Sequence, residues 1–385
     1  MPLTPKSRFG LIQRLKTLHG NSAANVLQMA GFTPGNFNLF GSASDIWTGI
    51  VLNLEPLNNA QGHSRLSDLL QHIVENDYPK DEILKQALEE LRNNYTTKLK
   101  LLAKAIKVGQ CVLFLGPNVF LARQGPQLTS FNELLAARIV SQFNDETYFD
   151  KTQANNLNYV AQQISKTDDY IAGDQGRLAQ ELYEQLKEDG ALETGVYQRL
   201  AELPFRLIMN TNPDDQLATI INQREPDRCV KRHYDPASTE QIDEQRSIPM
   251  GKTLLYNLLG TLADPVSIQM TESQLIKFTS RVVSGKPALD RQVRLAFNEH
   301  TYYLFLGFDF DQWYVKLVVA MVLELVKQEG GRAFSTFSAS TPFSAFNREF
   351  YEDEFKFYFI DEGDIQRFVN LLVGAYDVIR QRDVH

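Results

Sequence analysis

The sequence has few cysteines and no long apolar stretch. Only Cys111 and Cys229 occur among 385 residues, which excludes a disulfide framework and a Cys-x-x-Cys zinc pair. No apolar run reaches the ~20 residues that span a bilayer, and the amino terminus lacks the basic and apolar regions of a secretion signal. These absences predict a soluble, cytoplasmic protein without a membrane partner.

Positive charge is scarce as well. Lys and Arg number 39 against 47 Asp and Glu, which gives a formal net charge of −8. Binding to phosphate backbones requires an excess of positive charge, so the composition argues against a nucleic-acid partner. The hydrophobic share of 43% and the charged share of 22% are typical of a globular chain. The length predicts two domains.

Common catalytic signatures are also missing. The sequence has no Gly-x-x-x-x-Gly-Lys-Ser/Thr, no Gly-x-Gly-x-x-Gly, no His-Glu-x-x-His and no Gly-x-Ser-x-Gly. The six His are scattered without metal-ligand spacing, so no metal site is predicted. His233 lies in a long polar segment, where an exposed loop histidine is the favoured interpretation and a general base the alternative.

The amino-terminal part has helical periodicity throughout. Apolar residues recur at helical spacing in four segments, Phe9–Leu18, Asn21–Met29, Asp45–Leu54 and Leu66–Val74. Residues 1–95 are therefore predicted to form an all-helical domain of five or six short helices, with a boundary near Pro79–Asn94. Between Thr17 and Leu54 the only charged residue is Asp45. A buried core with an Asn and Ser surface explains this, and so does a surface that docks another protein.

The remainder alternates short apolar runs with helical patterns. Five runs have the composition of buried parallel strands: Cys111–Gly116, Phe205–Asn210, Thr253–Tyr256, Tyr302–Gly307 and Phe355–Ile360. Helical patterns separate them. Residues 96–385 are therefore predicted to form an α/β domain with a Rossmann-like parallel sheet and helices on both faces. A helical insertion is expected at about 145–200.

Four loops follow these strands, and Gly, Asn and Asp are frequent in them. They are residues 116–120, 210–215, 257–260 and 307–311. Each alone is ordinary turn or helix-capping chemistry. Because ligands of parallel sheets bind beyond the carboxyl ends of the strands, the four together predict a polar pocket there.

At these loops, residues from about 98 to 375 resemble the sirtuin-like domains of prokaryotic defence and conflict systems. The segment from Cys111 to Gly116 is similar to the family's first strand and nucleotide loop, and Thr211-Asn-Pro-Asp214 to its Thr-Asn-x-Asp motif. The segment from Tyr256 to Pro265 resembles the one that carries the catalytic His-Gly. The segment from Leu304 to Trp313 resembles the Gly-Ser loop beside the ribose.

The resemblance implies that the domain binds NAD and, as in the defence branch, cleaves its nicotinamide bond. It places Asn212 against the nicotinamide ribose, where it positions the attacking water, and Asp214 at the carboxamide. An amide oxygen and a carboxylate suit this chemistry because bond cleavage produces a sugar with oxocarbenium character.

The resemblance also implies a set of residues that contact the cofactor. Gly116 and Asn118 would face the diphosphate. Gly307 and Asp309 would lie near the ribose, and Thr211 belongs to the same cofactor site.

Several positions depart from the family pattern. Gly-Ala-Gly reads Gly116-Pro117-Asn118, so one backbone amide is lost to proline. The catalytic histidine falls at Leu259, which cannot accept a proton, although general base catalysis contributes ~10²–10⁴-fold. Two hypotheses follow: an effector that cleaves NAD, and a catalytically lapsed subunit that binds nucleotide or acts as a scaffold. A zinc-containing protein deacetylase is not expected, because the zinc cysteines are absent.

Residues 1–95 look similar to the death-like adaptor modules called effector-associated domains. The similarity rests on the length, the helix pattern and the position ahead of an effector domain. It implies a protein partner that docks on this domain, and a homo-oligomer is expected.

Overall fold

The computed structural model describes residue 3 and the ranges 5–54, 65–143, 149–167, 173–236, 251–299, 302–328, 335–340, 343–355, 357–362 and 364–381. Two compact units contain them. The first comprises residues 1–104 and 358–385, and the second comprises residues 105–357.

The helices of the described ranges, in chain order, are α1 (Pro5–His19), α2 (Ala23–Met29), α3 (Ala43–Leu54), α4 (Arg65–Asn76), α5 (Glu82–Lys107), α6 (Phe131–Phe143), α7 (Leu157–Ile164), α8 (Asp174–Glu188), α9 (Gly195–Leu200), α10 (Gln216–Arg224), α11 (Glu272–Ser284), α12 (Arg291–Glu299), α13 (Trp313–Gln328), α14 (Ala345–Phe355) and α15 (Ile365–Gln381). None of these described helices has the length and apolar character to cross a bilayer.

The strands are β1 (Cys111–Leu115), β2 (Leu121–Gln124), β3 (Gln127–Ser130), β4 (Leu192–Glu193), β5 (Leu207–Asn210), β6 (Cys229–His233), β7 (Thr253–Asn257), β8 (Tyr302–Leu306), β9 (Ser335–Ser340) and β10 (Phe357–Glu362). They form a seven-stranded sheet in the order β10-β9-β8-β1-β5-β7-β6 and a small sheet in the order β3-β2-β4.

The first unit confirms the predicted amphipathic helices. Helices α1 to α4 cover the four segments with helical periodicity. In α3 the side chains of Ile46, Trp47, Ile50, Val51 and Leu54 are buried, as the spacing of one apolar stripe requires. The Nε1 of Trp47 donates a hydrogen bond to the Gly20 carbonyl at 3.0 Å, so even the polar atom of this core side chain has a partner.

The helix α5 is continuous through the segment in which the sequence predicts a domain boundary. Its 26 residues also differ from the short helices expected for residues 1–95. The compact units divide after Lys104 and group residues 358–385 with the first unit. The boundary between residues 95 and 96 stays a prediction.

The large sheet confirms the predicted Rossmann-like α/β class. Every residue of β1 is buried, and β1 pairs in parallel with β5 on one side and with β8 on the other. The chain extends the sheet from β1 through β5 to β7 and β6, and later from β8 to β9 and β10. The direction of the strand order therefore reverses between β1 and β8, which is the point where such sheets usually bind ligands.

Several elements were not predicted from the sequence. The strands β6 and β9 belong to the large sheet, and β2, β3 and β4 form the small one. The interpretation of His233 as a loop residue is wrong, because it is the last residue of β6 and pairs in register with Asn257 of β7. The helices α7, α8 and α9 lie where the helical insertion is expected.

Candidate functional site

A pocket lies at the carboxyl ends of β1, β5 and β7. The loops after these strands contribute Pro117, Thr211, Pro213 and Leu259 to its wall. The position that the family resemblance assigns to the catalytic histidine is thus part of the pocket, and the side chain there is aliphatic. We call this cavity the central pocket.

The rest of the wall consists of helix starts and one loop. The first turns of α6 and α7 contribute Phe131, Asn132, Leu157 and Asn158, and α13 contributes Tyr314. The other lining residues are Leu135, Ile268, Gln269, Met270 and Leu275. All of these side chains are apolar or neutral and polar.

Some polar side chains of this wall already have hydrogen-bond partners in the protein, and others do not. The Asn158 side-chain amide donates to the Met270 carbonyl at 2.7 Å, and Thr211 Oγ1 donates to the Leu115 carbonyl at 2.7 Å. Among the described residues, Asn132 and the Tyr314 hydroxyl have no side-chain hydrogen-bond partner. The central pocket therefore offers an amide and a hydroxyl to a ligand on an otherwise largely apolar wall.

The predicted nucleotide loop after β1 is in direct backbone contact with the loop after β8. A Cβ atom added to Gly116 would lie 2.6 Å from the Gly307 carbonyl oxygen. Gly307 has a φ of +73°, and a Cβ there would lie 2.5 Å from Val119 Cγ2 and 2.8 Å from the Val119 nitrogen. Both glycines are therefore required by the approach of one backbone to another. We call this contact the loop crossing.

The backbone N–H groups of the loop after β1 are occupied within the protein. Gly116 donates to the Leu306 carbonyl at 2.8 Å and Asn118 donates to the Gly307 carbonyl at 2.9 Å. Val119 and Phe120 donate to carbonyls of the same loop, and Pro117 has no N–H. A phosphate is usually held by several backbone N–H groups that point at it. In residues 116–120 such groups are already used.

Asn212 is buried and is not among the described lining residues of the central pocket. Only 2% of the residue is exposed, and its side-chain Nδ2 donates a hydrogen bond to the Gly116 carbonyl at 3.0 Å. Its backbone N–H donates to the side chain of Asn210 at 3.0 Å. Asn212 thus ties the loop after β5 to the loop after β1.

Asp214 belongs to the same loop, is buried, and has a hydrogen-bond partner for each carboxylate oxygen. The Tyr197 hydroxyl donates to Oδ2 at 3.2 Å, and the Gln216 backbone N–H donates to Oδ1 at 2.9 Å. Burial raises the pKa of Asp214 from its ordinary value of 3.8 to about 6, against the opposing effect of these hydrogen bonds. Its carboxyl group therefore titrates closer to neutrality than an exposed aspartate.

Two neighbours of Asp214 have polar side-chain atoms without partners. The Nδ2 of Asn257 donates to the Asp214 carbonyl at 3.2 Å, whereas its Oδ1 is buried and has no partner among the described residues. Neither polar atom of the Gln216 side chain has a partner there. The buried side chains of Asn257 and Gln216 thus retain hydrogen-bonding capacity, which a buried water would use.

The predicted ribose residue Asp309 forms its hydrogen bonds within the loop that precedes α13. Its carboxylate accepts hydrogen bonds from the Asp311 N–H at 3.0 Å and from Gln312 Nε2 at 3.0 Å. Asn118 is half-buried, and its side-chain amide has no partner among the described residues. Of the predicted cofactor residues, Thr211 is the one that lines the central pocket.

The sequence alone did not indicate several residues of the site. Asn132 and Tyr314 lie in helices far apart along the chain, and Tyr197 lies in the short helix α9. The pattern around each is that of an ordinary helix start, so only the folded arrangement brings them to the pocket or to Asp214. His233 is not among the lining residues.

The comparisons with known proteins agree with this fold. Residues 206–361 match the family model described as SIR2-like domain, which covers the chain from β5 to β10. The loop after β1 and the starts of α6 and α7 precede the match. No curated protein matches the chain. Residues 206–361 are therefore similar to SIR2-like domains.

Proposed function

We propose that the sirtuin-like domain binds NAD, or a nucleotide related to it, in the central pocket and does not cleave it at an enzymatic rate. The observation that carries this proposal is the side chain of Leu259 in the pocket wall, at the position where the family resemblance puts the general base. The match to the SIR2-like domain over residues 206–361 supports an NAD-related ligand.

The residues of the central pocket fit the nicotinamide ring and its ribose, but not the diphosphate of NAD. The wall of the central pocket is largely apolar with a few polar groups, as in small-molecule sites, and Asn132 and Tyr314 supply neutral hydrogen-bonding groups to a ring and its ribose. They do not fit the diphosphate as the family resemblance implies, because the N–H groups of residues 116–120 are bonded inside the protein. The diphosphate would therefore extend from the pocket without that loop as its cradle.

The lack of cleavage follows from the side chains around the pocket. Leu259 cannot take a proton, and Asn212 donates its amide to the Gly116 carbonyl. General base catalysis and the positioning of water both contribute to the rate of such a hydrolysis. Without them the bound nucleotide acts as a ligand that stabilises the domain.

The test is nicotinamide release from NAD by the purified full-length protein, followed by chromatography, with binding measured by calorimetry on the same sample. We expect heat of binding and no release above the rate of the buffer control. Release that Asn212→Ala abolishes and that Asn118→Ala leaves unchanged would contradict the proposal.

A second candidate function is NAD hydrolysis by an effector of prokaryotic antiviral defence. The observation in its favour is that Asn212 and Asp214 of the Thr-Asn-x-Asp motif are both present, and that the pKa of Asp214 is raised to about 6 by burial. In this alternative a partner docks on the helical amino-terminal domain and activates cleavage. Cellular NAD after overexpression is the test: a fall with the wild type that Asn212→Ala prevents would favour this candidate.

For residues 1–95 we propose a role in protein binding. The exposed part of the weakly charged stretch includes Phe40, which is 89% exposed, Met29 and Leu52. Apolar side chains of this size on a surface that carries few charges are typical of protein interfaces. The homo-oligomer expected from the sequence would use the same kind of surface. Light scattering of the full-length protein with and without Phe40→Ser tests this: a mass that Phe40→Ser does not change would argue against the surface.

A further inference from the structure

The imidazole of His19 contacts two other aromatic rings of the first unit. His19 is the last residue of α1. The centre of its ring is 5.7 Å from that of Trp47 in α3 and 5.4 Å from that of Tyr78, which follows α4. Trp47 is fully buried, and Tyr78 packs against the same core. The end of α1 is therefore held to two other parts of the unit through one histidine.

Two hydrogen bonds flank this aromatic contact. Trp47 Nε1 donates to the carbonyl of Gly20 at 3.0 Å, and the Tyr78 hydroxyl donates to the carbonyl of Leu18 at 3.4 Å. The two rings that contact His19 are thus bonded to the backbone on either side of it. We call the three rings and these two hydrogen bonds the helix clasp. Because His19 lies at the centre of the helix clasp, a change in its charge affects all of these contacts.

The helix clasp accommodates a neutral imidazole better than an imidazolium. His19 Nε2 is buried and has no hydrogen-bond partner among the described residues. In the protonated ring both nitrogens carry a hydrogen, so Nε2 would become a charged, buried donor without an acceptor, which is costly. Aromatic rings attract a nearby cation, but this attraction is smaller than that cost. The closed clasp therefore opposes protonation of His19.

The charged residues around the helix clasp do not reverse this preference. Those within three positions of its rings along the chain are Lys16, Asp45, Glu75, Asp77, Lys80 and Asp81. Burial of the imidazole, the larger effect, lowers the pKa of His19 below its ordinary value of 6.5, whereas the negative charge of Asp77 acts in the opposite direction. The carboxylate of Asp81 is paired with Arg14. The folded unit therefore binds a proton at His19 more weakly than the unfolded chain does.

We infer that protonation of His19 opens the helix clasp, so that mild acid frees the end of α1 from Trp47 and Tyr78. A base that binds its proton more weakly in the folded state stabilises that state above the pKa of the unfolded chain, and this contribution is lost as the pH falls below about 6.5. The helix clasp is thus an acid-sensitive contact within the first unit, and it does not depend on what the central pocket binds.

The experiment follows the exposure of Trp47 in the full-length protein. The chain has two tryptophans, so Trp313→Phe leaves Trp47 as the single one. The bimolecular quenching constant of its fluorescence by acrylamide measures how readily solvent reaches its ring. We expect this constant to rise severalfold between about pH 7.5 and about pH 5, while circular dichroism shows that the helices persist. A constant that does not change over this range, or loss of the whole dichroism signal, would overturn the inference.

Further variants in the Trp313→Phe background assign the change to His19. His19→Phe keeps an aromatic ring in the helix clasp and cannot be protonated, and His19→Gln is a second neutral replacement. Both should remove the pH dependence of the quenching constant. His72→Gln is the matched control, because His72 lies in α4 of the same unit and outside the helix clasp, and it should keep the pH dependence. A pH dependence that persists in both His19 variants, or that His72→Gln removes, would contradict the inference.

Discussion

Two places at the carboxyl edge of the large sheet differ sharply although both look like ligand sites. Between β1 and β8, where the strand order reverses, Gly116 and Gly307 bring two backbones into contact and fill the space. Over β1, β5 and β7 the loops are joined by hydrogen bonds, yet they leave the central pocket open between them. The comparison teaches that glycines at strand ends have two causes, and that only an open cavity beside them indicates a ligand.

The largest effect is expected from breaking the loop crossing. Gly307→Ala adds a Cβ at a φ of +73°, within 2.8 Å of the Val119 backbone nitrogen. Backbone strain and overpacking each cost about 1–3 kcal/mol, so the free energy of unfolding should fall by about 3 kcal/mol or more. Chemical denaturation of the full-length protein measures it.

A matched control separates the cost of backbone strain at a positive φ from the cost of the steric contact with Val119. Gly125 has a φ of +60° and nothing within 4 Å of an added Cβ. Gly125→Ala should therefore cost only about 1 kcal/mol of strain. Equal losses for the two variants would show that the loop crossing is not tightly closed.

The next effect concerns the buried carboxyl group below the pocket. Because the pKa of Asp214 is raised from 3.8 to about 6, the folded state binds its proton more tightly than the unfolded state. The contribution of Asp214 to stability is therefore largest below pH ~4 and decreases as the pH rises towards about 6. Asp214→Asn removes this decrease, so the variant should gain about 1–3 kcal/mol relative to the wild type between pH ~4 and pH ~7.

Denaturation midpoints across this pH range measure the difference. Asp174→Asn is the control, since the Asp174 side chain is 36% exposed and pairs with Arg177. A constant difference between Asp214→Asn and the wild type over the whole range would contradict the assignment of a raised pKa to Asp214.

The smallest effect is expected at Asn212. Asn212→Ala removes the hydrogen bond to the Gly116 carbonyl, but that carbonyl also accepts from the Val119 N–H at 3.2 Å. The oxygen therefore keeps one partner, and the free energy of unfolding should fall by about 1 kcal/mol. Asn118→Ala serves as the control because the Asn118 side chain has no partner among the described residues. Equal stability of the wild type and Asn212→Ala would remove the structural role of Asn212.

The sequence predicts the strands of the large sheet that are apolar runs and misses the more polar ones: β10 at one edge is predicted, whereas β9 inside the sheet is not. The strands β1, β5, β7 and β8 are short apolar runs, as strands buried on both faces must be. The strand β6 contains Lys231, Arg232 and His233 because it lies at the edge of the sheet and is partly exposed, so its pattern is that of a polar loop.

The sequence also predicts one part of the candidate site and misses another. The loops after the strands are visible in the sequence because Gly, Asn and Asp mark them. The sequence does not show which group approaches each glycine. A close phosphate and a close backbone segment both require a residue without a side chain, so the two cases look the same in the sequence. The wall of the central pocket depends on Asn132 and Tyr314, which come together only through the packing of helices that are distant in the chain.

The central claim is that the pocket, rather than the loop after β1, holds a nicotinamide nucleotide. Calorimetric titration of NAD into the wild type, Leu259→Trp and Asn118→Ala tests it most directly. Leu259→Trp fills the central pocket and should abolish binding, whereas Asn118→Ala should bind as the wild type does. Binding that survives in Leu259→Trp and is lost in Asn118→Ala would contradict the claim and return the ligand to the loop after β1.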